Sequence, residues 1–73
     1  MDYSKFYSEV ALWIQQSNQN AIKHGFDSDT FWDWVVKSSG EMCKRYDNNE
    51  LVILQMTMLI EWLEKVFNST KGG

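Results

Sequence analysis

The chain is expected to be all-α, a compact three-helix bundle, on three observations. Apolar residues recur at intervals of three and four along three separate stretches, as one face of a helix requires. Proline is absent from all 73 residues, which removes the strongest helix breaker. Glycine occurs only at positions 25, 40, 72 and 73. The turns between the stretches are therefore short, and short turns favour neighbouring helices in one domain spanning 1–73.

The first helix is expected over about 3–24. Tyr3, Phe6, Tyr7, Val10, Ala11, Trp13 and Ile14 share one broad face, continued by Ala21 and Ile22, while Lys5, Ser8, Glu9, Gln15, Gln16, Gln19 and Lys23 share the other. Gly25 suits a left-handed C-cap, with Phe26 placed to fold back on the last turn. The polar tract Gln15-Gln16-Ser17-Asn18-Gln19-Asn20 keeps helical phase but is expected to fray or bend the helix.

The second helix is expected over 28–46, capped by Asp27 or Ser28, with Asp27, Asp29 and Asp33 near its positive end. Phe31, Trp32, Val35, Val36, Met42, Cys43 and Tyr46 form its apolar arc. Gly40 sits mid-helix at the border of that arc and costs about 1 kcal/mol relative to alanine, for which close helix approach would compensate.

The third helix is expected over 48–67. Asp47-Asn48-Asn49-Glu50 matches a D-x-x-E variant of the capping box, and residues 68–73 read as a frayed tail.

At this length about 60% of the unfolded chain's surface is buried on folding, so the core has little to spare. Four Trp, four Phe and three Tyr partly compensate, because large rings bury much area each. The net charge of -3 disfavours sequence-independent binding to phosphate backbones. Met1-Asp2-Tyr3-Ser4-Lys5 lacks the basic and apolar regions of a signal peptide, and no apolar run approaches about 18 residues. Cytoplasm is the expected compartment, and a membrane is not an expected partner.

No motif for catalysis, cofactor or metal emerges, and the chain is not expected to be an enzyme. One Cys, Cys43, and one His, His24, do not make a zinc site, and no orienting acid accompanies them as a nucleophile pair. Asp27-Ser28-Asp29-Thr30-Phe31-Trp32-Asp33 lacks the central glycine and closing glutamate of a calcium loop, so helix capping explains its acids better. The third helix lacks the basic and amide side chains of a DNA-recognition helix.

What remains is a set of residues that do not fit a minimal bundle. Apolar residues cover roughly 220° of the third helix, where about 100° suffices for packing on one surface. Its surplus falls at one of two edges, around Leu54 and Met58 or around Ile53 and Ile60. Trp34 lies on the polar side of the second helix, and Leu12 is alone among polar residues of the first. An exposed Trp is the residue type most enriched at binding hot spots. These six residues predict a protein-binding module, its partner a second copy or another protein held through the third helix and Trp34. The alternative is a nucleic-acid-associated regulator that acts with a partner.

Phe26-Asp27-Ser28-Asp29-Thr30-Phe31-Trp32-Asp33-Trp34, Tyr46-Asp47-Asn48-Asn49 and the Gln55-Met56 to Trp62-Leu63 segment resemble small uncharacterised phage and prophage proteins of Gram-positive bacteria. The resemblance spans nearly the whole chain and rests on the placing of Trp and Asn rather than on a motif. It implies an accessory protein that binds and inhibits or redirects a host protein, and it assigns no functional residue.

Overall fold

The computed structural model describes residues 1–72, with side chains through Ser69. It contains three helices, α1 (Tyr3–His24), α2 (Asp29–Arg45) and α3 (Glu50–Gly72), and no strand among the described residues. The all-α class and the three helices are those expected. The chain divides into two compact units, Met1–Trp32 and Asp33–Gly73.

In the first unit, Asp2 starts α1: its Oδ1 accepts from the Lys5 backbone N–H at 3.0 Å, satisfying one of the donors a helix start leaves open. Phe6, Val10, Trp13 and Ser17 are buried, at successive spacings of four, three and four that keep one face of a 3.6-residue helix. The polar tract does not break α1, which runs unbroken to His24. Ser17 falls in phase with the buried face, and its hydroxyl donates to the Ile14 carbonyl at 2.7 Å. The Asn20 amide likewise donates to the Gln16 carbonyl at 2.8 Å. Side chains that could compete with the helix backbone bond within it instead.

Gly25 ends α1 at φ 83°, but its ψ of 153° lies far from the left-handed helical region, in a positive-φ, extended-ψ region. That region is open in practice only to glycine. The next turn is held by aromatic contacts. Phe26 meets Phe31 edge-on at 5.3 Å, Phe31 meets Trp32 edge-on at 5.0 Å, and the Trp32 indole N–H donates to the Phe26 carbonyl at 2.6 Å. Of the two candidate caps for α2, Ser28 acts: its Oγ accepts from the Thr30 backbone N–H at 3.1 Å.

In the second unit, α2 and α3 are joined by four residues, and Val35, Ser39 and Met42 on α2 and Val52, Met56, Leu59 and Leu63 on α3 are buried. The connection differs from the expected capping box. Asp47 and Asn48 both have positive φ, 55° and 56°. The Asn48 N–H donates to the Cys43 carbonyl at 2.8 Å and the Asp47 N–H to the Lys44 carbonyl at 3.1 Å. This pair of bonds is a Schellman motif. Asp and Asn occupy the positions usually given to glycine because their short polar side chains tolerate the left-handed region best after it. With Asp47 used to stop α2, the start of α3 passes to Asn49, whose Oδ1 accepts from the Leu51 backbone N–H at 2.9 Å.

Two further expectations are corrected. Gly40 is exposed, and nothing lies within 4 Å of where its Cβ would stand, so no close approach requires it. α3 continues through 68–72, which the sequence reading treats as tail, because neither glycine nor proline intervenes before Gly72. Gly73 lies outside the described residues.

Candidate interaction surface

A helix residue advances about 100° around the axis, so four residues return it to within about 40° of its start. Leu54, Met58 and Trp62 are spaced by four, and therefore form a slowly turning stripe on one flank of α3. They are 60%, 54% and 40% exposed. Leu51, half-buried, continues the stripe toward the start of the helix. The stripe lies well around the helix from the buried arc of Val52, Met56, Leu59 and Leu63.

Of the two edges at which surplus apolar surface is expected, the structure opens this one more fully. At the other edge Ile53 is exposed but Ile60 is half-buried. Thr57, on the polar side, returns its hydroxyl to the Ile53 carbonyl at 2.8 Å, and Glu61 and Lys65 stand exposed along the margin of the stripe. Leu54 and Met58 are thus brought together as expected, and Trp62 joins them. In the sequence Trp62 falls within the roughly 220° apolar arc but is singled out at neither of its edges. Its spacing of four from Met58 was the signal that places it on the open flank.

Trp34 is half-buried rather than freely exposed, and its backbone carbonyl accepts from the Ser38 hydroxyl at 2.6 Å. A helical projection fixes the direction of its Cβ, but an indole is long enough to lie down over neighbouring surface. Leu12 is exposed, yet its neighbours one turn away on α1 are Ser8, Glu9, Gln15 and Gln16, so it extends no apolar face.

α1 and α2 do not bury the whole of their apolar arcs. α1 buries only the Phe6–Ser17 side of its broad face and leaves Tyr3, Tyr7 and Ile22 exposed, Ile22 to 87%. The arc spans more of the helix than one packing contact covers. Ile22 borders a hollow of about 400 Å³ lined with Asn18, Ala21 and Phe26. On α2, Val36 is 66% exposed.

Titratable groups are not gathered in the same way. Among the described residues no three His, Cys, Asp or Glu side chains come together as a metal ion would need. No buried side-chain nitrogen or oxygen among them lacks a hydrogen-bond partner, so no orphaned polar atom is aimed at a ligand. Cys43 is half-buried. No helix among them is long and apolar enough to cross a membrane.

Compared with known proteins, the chain matches no family model, no curated protein and no solved structure.

Proposed function

We propose that this chain is a non-enzymatic protein-binding module, acting in the cytoplasm, whose docking face is the exposed flank of α3. One observation carries the reading: Leu54, Met58 and Trp62 stand open on successive turns of one helix. Isolated exposed apolar residues are ordinary on any protein, but three in register form a patch whose burial against a partner is favourable by about 25 cal/mol per Å². Trp is the strongest single anchor at such surfaces, and flexible Met adapts to a partner's shape. An amphipathic helix face of this kind is read by a partner at i, i+4 and i+8. A phage-encoded binder of a host protein, the setting implied by the sequence resemblance, is one biological form this activity takes.

The test compares the native chain with a Leu54→Asp, Trp62→Ser double variant as bait in lysate of the native host, with helicity followed by circular dichroism. A protein retained by the native chain and lost from an equally helical variant supports the reading. Retention of the same host protein by both overturns it, as does a variant that unfolds, since the two residues would then belong to the core.

A further inference from the structure

We infer that the occupant of the α3 flank is the same flank of a second copy, run antiparallel about a two-fold axis at Met58. The inference rests on the docking face proposed above and names its partner. An isologous interface must be self-complementary, because each residue meets the counterpart of its own mirror position along the stripe. The stripe has that symmetry. Leu54 and Trp62 stand four residues to either side of Met58, so antiparallel pairing sets each Leu54 beside the Trp62 of the second copy and Met58 against Met58.

The charges at the two ends select the direction. Glu50 and Lys65 are both exposed and lie on the same margin of the stripe. At a rise of 1.5 Å per residue, Glu50 is about 12 Å from the level of Met58 in one direction and Lys65 about 10.5 Å in the other. Antiparallel pairing therefore brings Glu50 of each copy level with Lys65 of the other, twice per dimer. Parallel pairing would carry this margin to opposite sides of the interface in the two copies, so Glu50 and Lys65 would not meet. The opposed helix dipoles favour the same antiparallel choice. Contact over about three helical turns buries on the order of 1,000 Å², the low end for a specific interface, so association in the micromolar range is expected.

Sedimentation equilibrium across micromolar to millimolar concentrations reads the outcome on the intact chain. The native chain is expected to form a dimer. Glu50→Lys or Lys65→Glu, each acting twice per dimer, is expected to weaken it about tenfold, and the two together to restore it. In a Cys43→Ser background, Met58→Cys is expected to cross-link on oxidation. Leu54→Cys is not, since the two copies of position 54 lie about 12 Å apart along the axis, beyond disulfide reach. A chain that stays monomeric at millimolar concentration overturns the pairing. So do a double charge variant as weak as the single ones and a Leu54→Cys chain that cross-links as readily as Met58→Cys. A monomer whose Leu54→Asp, Trp62→Ser variant still loses a host protein defeats the pairing alone and leaves the docking face standing.

Discussion

The two flanks of α3 are built from nearly the same materials. Val52, Met56, Leu59 and Leu63 on one side and Leu51, Leu54, Met58 and Trp62 on the other are all large and apolar, and both sets repeat at helical spacing. The first set is buried and the second is half-buried or exposed. Residue type and period are therefore silent on which flank faces the core. The difference is angular: an offset of two residues turns a side chain by about 200° around the axis, from Met56 to Met58. The more hydrophobic residue is not always the inner one. Trp62 remains outside while the smaller Val52 is wholly inside.

The contrast between the flanks should show first in stability. Leu63→Ala, at a position only 1% exposed, is expected to cost about 2–5 kcal/mol through lost burial and the cavity left behind. Denaturant midpoints measure it, and a loss near zero would break the distinction between the flanks.

The two internal glycines extend the same contrast to the backbone and should move in opposite directions. A Cβ on Gly25 would lie 3.1 Å from the Asp27 carboxylate oxygen, at a backbone conformation other residues avoid. Gly25→Ala is expected to lower stability by about 1–3 kcal/mol. Gly40 faces open space mid-helix, so Gly40→Ala should raise stability by about 1 kcal/mol. Thermal unfolding of both variants reads the pair, and destabilisation at Gly40 would show that something does approach it.

The smallest effect is expected on the open flank. Leu54→Ala should change stability by no more than about 0.5 kcal/mol, measured at a concentration where the chain is monomeric. A cost comparable with that of Leu63→Ala would place Leu54 in the core and remove the docking face.

Much of the fold was legible because helix signals are local. The end of α1 needs only Gly25, and the buried spacings at Phe6, Val10 and Trp13 can be counted along the chain. The junction between α2 and α3 was not legible in the same way. Asp47 is as good a helix cap as it is a left-handed stop, and which role it takes depends on how α2 closes its last carbonyls. The candidate surface was half legible. Leu54 and Met58 stood out because they exceed what one packed face needs, whereas Trp62 was one residue within the wide apolar arc, and a helical projection left open whether Trp34 is exposed or covered.

The surplus of apolar surface on α3 was thus determined by the sequence alone, since periodicity and composition depend on nothing beyond the order of residues. Only the tertiary structure decided which part of that surplus stays in solvent. Burial is a property of what lies across from a side chain, and a helical projection contains no neighbours. Local hydrogen bonds set where the three helices begin and end, and packing alone left Leu54, Met58 and Trp62 in the open.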